Sequence, residues 1–442
     1  MKTVKIVPAR LGLSGKLSFP GDKSLSHRAV IFGSLAEGRS HFTNVLPGED
    51  CVCTRKAFEA MGVRISSSKD QTELTIDGVG LKGLKAPKSA LYLGNSGTSM
   101  RLLMGVLAGQ DFSATLTGDS SLSGRPMRRV AEPLGRMGAK ITGKDNGNFA
   151  PITVTGASLQ GISYHLPVAS AQVKSALLLA GLYAKGTTRV TEPEKSRNHT
   201  EKFLKFFGAS VNEDGLSVSV QAGKELKAKS FAIAGDISSA AFFMAAALLM
   251  PGSAVEFRSI LNNPTRTGIV EILKRMGVKF VFDLDTKGEE GPEPTINFML
   301  TSQALKLQAF EIKKSELPSL IDEIPILCVL ATQAKGTSII HDAGELRVKE
   351  TDRINSMVSQ LTRMGADIKS EGNSIIIQGP TPLKGAVVSS FKDHRTAMSL
   401  IVAGLIADGE TTLEDIECIS TSFPNFFDLL TTLKVSFEIL NK

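Results

Sequence analysis

Two hydrophobic patterns alternate along the chain, six times over. The first is a helix-like apolar stretch that runs into a Gly and then into a stretch rich in β-branched residues. It occurs as HRAVIFGSLAEGRSHFTNV around Gly38, MRLLMGVLAGQDFSATLTG around Gly109 and VKSALLLAGLYAKGTTRVTE around Gly186. It recurs as SSAAFFMAAALLMPGSAVEF around Gly252, PILCVLATQAKGTSIIHDA around Gly336 and AMSLIVAGLIADGETTLED around Gly409. Ala and Leu favour helix, the Gly is expected at the left-handed C-cap, and β-branched residues predict the strand that follows. The second pattern is an amphipathic helix ending in Gly and passing into a short strand: FEAMGVRI, LGRMGAKI, FLKFFGASV, ILKRMGVKF and LTRMGADI. A sixth version, LLTTLKVSF, lacks the Gly. The Met residues before these glycines are expected to fill core.

From one pattern's Gly to the next is 22 to 29 residues in the five complete cases, and a hairpin follows each. The chain therefore reads as six α-β-α-β-β units of roughly 70 residues, and its 442 residues predict more than one domain. Three units per globule gives an α/β (α+β) fold of two similar domains, one spanning 21–233 and the other 1–20 plus 234–442. The segment KTVKIV is a spare strand, expected to pair near the C-terminus. A cleft between two such domains is a common place for a ligand.

Composition narrows the function. The longest apolar run, Ala240 to Met250, is about half of what a membrane span needs. The N-terminus has no apolar h-region, and Cys51, Cys53, Cys328 and Cys418 have neither zinc nor disulfide spacing. A cytoplasmic protein is expected, with no membrane partner and no metal. The net charge of +7 is spread out, Trp is absent and Tyr occurs three times, which disfavours nucleic acid and favours small anionic substrates. Gly78–Gly83 fits G-x-G-x-x-G, yet Pro87 blocks the helix that a dinucleotide site requires.

Candidate chemistry gathers at helix starts. Pro20–Arg28, Leu93–Arg101, Ser123–Arg129 and Ala169–Lys174 combine small residues with Lys, Arg or Gln, so backbone N–H groups and cations offer an anion cradle. Pro126 marks an expected helix start. Asp322 and Glu323 precede an apolar helix and read either as caps or as a general base. In Arg347–Arg353, Lys349 and Arg353 are four apart and are expected to share a helix face beside Glu350. Phe391–Met398 offers His394 and Arg395. His27 and His199 sit in polar segments.

Taken together, GDKSLSHRA, LGNSGTSMRL, SGRPM, RVKETDR, DHR and TSFPNF resemble the 5-enolpyruvylshikimate-3-phosphate synthases over essentially the whole chain. SAQVKSA, SRNHTE and LIDEIPIL are similar to the bacterial second class. The resemblance implies an inside-out barrel in each domain, a site in the cleft, and transfer of the enolpyruvyl group of phosphoenolpyruvate to the 5-hydroxyl of shikimate 3-phosphate. It implies a monomer with no cofactor. By resemblance, Lys23, Ser24, Arg28, Ser170, Ala171, Gln172, Arg197, Asp322 and Lys349 hold shikimate 3-phosphate. Lys23, Asn95, Gly97, Arg125, Gln172, Glu350, Arg353, His394 and Arg395 hold phosphoenolpyruvate. Asp322 is the implied base and Glu350 the implied acid, with Lys23 assisting. Where many relatives carry a Lys before the last motif, this chain has Thr421. Two alternatives stay open. A UDP-N-acetylglucosamine enolpyruvyl transferase would need a loop Cys that Phe112–Arg129 lacks. A non-catalytic anion or nucleic-acid binder would show a steep salt dependence.

Overall fold

The computed structural model describes residues 2–9, 11–283, 291–302 and 306–441. Two compact units emerge. One holds Gly21–Ile233 with Glu289–Glu293, and the other holds Met1–Pro20, Ala234–Gly288 and Pro294–Lys442. Among the described residues there are six four-stranded sheets, three in each unit.

Six helices are apolar nearly all round and therefore buried. Lys23–Leu35, Gly97–Ala108 and Ala171–Gly181 lie in the first unit, and Ile237–Leu249, Ile324–Thr332 and His394–Ile406 in the second. In Ile237–Leu249 every residue but the last is buried. The second set of helices is amphipathic: Glu49–Ala60, Arg128–Arg136, His199–Phe206, Gly268–Arg275, Arg353–Arg363 and Phe426–Thr432. Met61, Met137, Met276 and Met364, which precede the glycines of this pattern, are fully buried.

Those glycines close their helices. After Glu49–Ala60 the Gly62 N–H reaches the Glu59 carbonyl at 3.0 Å and the Val63 N–H reaches that of Phe58 at 3.1 Å, with Gly62 at φ +92°. This paired closure requires a left-handed residue. The Gly-less sixth version keeps it, with Lys434 at φ +59°. The first pattern differs from expectation. Its glycines lie past the cap, as in Gly38 after the capping Ala36, and Gly109 is a cap with a negative φ of −94°. The expected helix start at Pro126 moves to Arg128.

The repeat also has one strand more than its sequence suggests. Each sheet carries an outer strand parallel to its neighbour, and its other pairings are antiparallel. The unit is thus β-α-β-α-β-β. These outer strands escape notice because most are two or three residues long, such as Leu91–Tyr92 and Glu311–Ile312, too short for any alternation. Two of them do not join the sheet of the helix that follows. Ser14–Ser18 pairs with Ala254–Leu261, and Ser230–Ala232 pairs with Glu37–Thr43. Lys2–Ile6 lies antiparallel between Thr411–Glu414 and Phe437–Asn441 and completes the last sheet.

Candidate functional site

In the first unit the three buried helices begin with side-chain caps from Asp22, Ser96 and Ser170. Lys23 pairs with Asp50 just past the first cap. Arg28, one turn in, is 4% exposed; its Nε donates to Thr200 Oγ1 at 2.8 Å, and its two outer nitrogens donate to Ser175 Oγ and the Ser24 carbonyl at 2.9 Å. Burial lowers its pKa to about 10, against the opposing pull of Glu201. Arg197 is half-buried and near enough to add a repelling charge.

The Gly97 helix start carries a second group. Asn95 donates to Asp119 at 2.8 Å, and Arg125 donates to both the side chain and the carbonyl of Asn95. Gln172 accepts from Arg101 at 2.6 Å and donates to Thr98 Oγ1 at 3.0 Å, which ties the Gly97 and Ala171 helix starts together. A Cβ on Gly97 would come within 2.9 Å of the Arg101 guanidinium and 3.4 Å of that of Arg125.

The second unit holds the acid-base candidates. Glu323 stands at the N-cap of Ile324–Thr332 but caps only with its backbone carbonyl, so neither the Asp322 nor the Glu323 carboxylate is a cap. Asp322 lies 3.4 Å from Arg353 and 3.8 Å from both Lys349 and Arg395. Glu323 turns the other way. It is fully buried, accepts from Ser238, and lies 3.9 Å from both Arg266 and Arg395. Arg353 is 1% exposed and donates to Asp393 at 2.9 Å and to Glu350 at 2.6 Å, besides meeting Asp322. Burial works against its charge, but Asp393, Glu350 and Asp322 outweigh burial and raise its pKa. Arg395 donates to the Asp322 carbonyl at 3.1 Å, and its helix start is fixed by the Asp393 cap after two left-handed residues, Phe391 and Lys392.

Several expectations need correction. Lys349 and Arg353 do not share a helix face, because Asp352 caps the helix and leaves Lys349 and Glu350 in the preceding loop. They still meet at Asp322. His27 and His199 are buried helix residues, bonded to Thr54 and Glu293. Phe32, Phe203 and Phe207 pack together between the same two helices, which the polar flanks conceal. His394 is buried at its helix start. Thr421 donates to the Cys418 carbonyl at 2.7 Å, inside its own turn. Arg266 and Asp393 are missed by the sequence reading; Asp393 leaves one signal, a carboxylate directly before a helix start, and Arg266 leaves none.

Among the described residues no cluster of three or more His, Cys, Asp or Glu could hold a metal, and no helix is long and apolar enough to cross a membrane. The fold and these clusters define a class: a mixed α/β enzyme for small, multiply charged anions, with carboxylates set among its cations. The chain belongs to the EPSP synthase (3-phosphoshikimate 1-carboxyvinyltransferase) family, which it matches over residues 8–430. It is a transferase that moves the enolpyruvyl group of phosphoenolpyruvate to shikimate 3-phosphate, in aromatic amino-acid biosynthesis. It is 47% identical to the 3-phosphoshikimate 1-carboxyvinyltransferase of Bacillus cereus strain B4264, over 98% of this chain and all of the relative. Identity to that of Shouchella clausii strain KSM-K16 is 48%, with the same coverage. The solved EPSP synthase of Acinetobacter baumannii superposes with a TM-score of 0.89 at 44% identity, covering both chains fully.

Proposed function

We propose that the two clusters serve one reaction, in which Asp322 is the base and Glu350 the acid. The observation that carries this reading is the guanidinium of Arg353, which holds both carboxylates at once, at 3.4 and 2.6 Å. Lys23, Ser24, Arg28, Ser170, Ala171, Gln172 and Arg197 take the shikimate 3-phosphate anion, and Asp322 and Lys349 its ring hydroxyls. Lys23, Asn95, Gly97, Arg125, Gln172, Arg353, His394 and Arg395 surround phosphoenolpyruvate. Residues of both units enter this reading, with an inside-out barrel in each.

In the forward step Asp322 accepts the 5-hydroxyl proton as that oxygen bonds to C2 of phosphoenolpyruvate. Glu350 gives its proton to the methylene carbon, forming a tetrahedral ketal. As the C2–O bond to phosphate breaks, the departing oxygen takes the proton held by Asp322 and the new methyl returns a proton to Glu350, which restores the double bond and both carboxyl groups. An anion arriving at Arg353 competes with the Glu350 carboxylate, and a carboxylate displaced from its guanidinium beside a new anion takes up a proton more readily. Acid, base and anion binding suffice, so the reading includes no metal or organic cofactor, and it places the enzyme in the cytosol as a monomer.

The test is phosphate release with both substrates, wild type beside Glu350→Gln. Release should need both substrates and fall by about 10²–10⁴ in the variant. Unchanged turnover in Glu350→Gln would remove it from the acid role.

A further inference from the structure

The first unit contains a buried charge cluster that the mechanism does not use. Lys174 is 1% exposed, and its Nζ lies 2.6 Å from Glu192 and 2.7 Å from Glu201, both also buried. Each carboxylate belongs to a different element. Glu192 directly follows the strand Thr187–Thr191 and accepts the hydroxyl and the N–H of Ser196, which closes the turn directly before Arg197. Glu201 sits in the first turn of His199–Phe206. Lys174 itself is in Ala171–Gly181, four residues after the capping Ser170.

The neighbours in sequence repeat the linkage. Ser175 follows Lys174 and Thr200 precedes Glu201, and these two hydroxyls bond each other at 2.7 Å and both receive Arg28. Two adjacent residue pairs on two helices thus face each other. The hydroxyl pair cradles the Arg28 guanidinium, and the charged pair locks the helices beneath it. Glu201 is the largest opposing influence on the burial that lowers Arg28.

We propose that Lys174 is a positioning residue for shikimate 3-phosphate. One ammonium sets the relative placement of three elements: the Ser170–Gln172 helix start, the turn to Arg197, and the Thr200 helix that holds Arg28. All three carry groups assigned above to the shikimate phosphate, so the inference rests on that reading. Removing Lys174 leaves two buried carboxylates sharing less positive charge, and the phosphate contacts lose their common anchor. Of the groups this cluster places, only Gln172 is also assigned to phosphoenolpyruvate, so the affinity for that substrate should change far less than that for shikimate 3-phosphate.

The experiment compares Lys174→Met, Ser196→Ala and Arg28→Lys in the full chain, each checked for folding by circular dichroism. The readouts are the Kd of shikimate 3-phosphate by calorimetry, without turnover, and the KM of both substrates. Lys174→Met should weaken shikimate 3-phosphate binding about tenfold, in line with a charged hydrogen bond lost from an anion site. Ser196→Ala, which opens the turn without stranding a charge, should weaken it about threefold. The KM of phosphoenolpyruvate should stay within about twofold of wild type in both. A folded variant with wild-type Kd, or with both substrates weakened alike, overturns the inference. If Lys174→Met does not fold, Ser196→Ala decides alone by the same criteria. Arg28→Lys separates the two levels: wild-type affinity there overturns the phosphate assignment, whereas weakened affinity there with none in the other two overturns only the role of Lys174.

Discussion

Arg353 reaches Asp322 and Glu350 with different nitrogens, at 3.4 and 2.6 Å, while its third edge donates to the Asp393 cap of the next helix at 2.9 Å. One buried cation thereby joins the proposed base, the proposed acid and the helix start that presents Arg395. Replacing it takes the guanidinium from the fully buried Asp393 and from Glu350, and leaves Asp322 with Lys349 and Arg395. Arg353→Met should lower stability by about 3–5 kcal/mol, the range for breaking a buried ion pair. Thermal unfolding followed by circular dichroism checks this, and a melting temperature within a degree of wild type would contradict it.

Gly97 stands where a methyl group would meet two guanidinium groups, Arg101 at 2.9 Å and Arg125 at 3.4 Å. Both are ends of flexible side chains, so Gly97→Ala should fold. The displaced guanidinium groups should raise the KM of phosphoenolpyruvate about tenfold, equivalent to overpacking by roughly 1–2 kcal/mol. Steady-state kinetics with each substrate varied in turn tests it. An unchanged phosphoenolpyruvate KM would show that Arg125 does not bind that substrate.

Two buried histidines make stability depend on pH. Burial lowers the pKa of His27 well below 6.5, with Lys23 and Arg28 adding to it, and burial also lowers His199 against the pull of Glu293. The unfolded chain binds these protons near pH 6.5 and the folded chain does not. Stability is therefore full above that pH and falls as pH drops through it, by up to about 1.4 kcal/mol per pH unit for each histidine. Denaturant midpoints at pH 7.5 and 5.5 measure the slope. His27→Gln should make it shallower, and an identical slope would exclude His27 as a source.

The last helix closes on Lys434 in a left-handed conformation where five equivalent helices use Gly. Relief of the Cβ clash outweighs the extra freedom that Gly gives the unfolded chain, so Lys434→Gly should stabilise by about 0.5–1 kcal/mol. Urea denaturation is the measurement. A loss of stability would mean that the Lys side chain contributes more than its backbone strain removes.

What the sequence determined by itself was whatever depends on neighbours a few residues away. Ala- and Leu-rich runs such as Ile237–Leu249 made helices, Gly62 and its counterparts closed them, and Met61 and its counterparts pointed inward, because propensity and periodicity act locally. Dense motifs around Lys23, Gly97, Asp322 and Arg395 marked the proposed site, since helix starts expose their N–H groups in any context. Tertiary structure decided the rest. The two-residue strand Leu91–Tyr92 exists only because Leu116 and Thr117 lie alongside it. Ser14–Ser18 gains its place from Ala254–Leu261, more than 200 residues away, whereas the pairing of Lys2–Ile6 near the C-terminus was legible as a spare strand. His27 sits in a polar segment, and only Thr54 and the packed helices show that it is out of water. Asp322 and Glu323 are identical in kind and adjacent in sequence, yet one meets Lys349 and Arg353 and the other faces Ser238 and Arg266. Burial and charge pairing are sums over groups distant in sequence, so no local pattern encodes which carboxylate meets Lys349 and Arg353 and which is buried against Ser238.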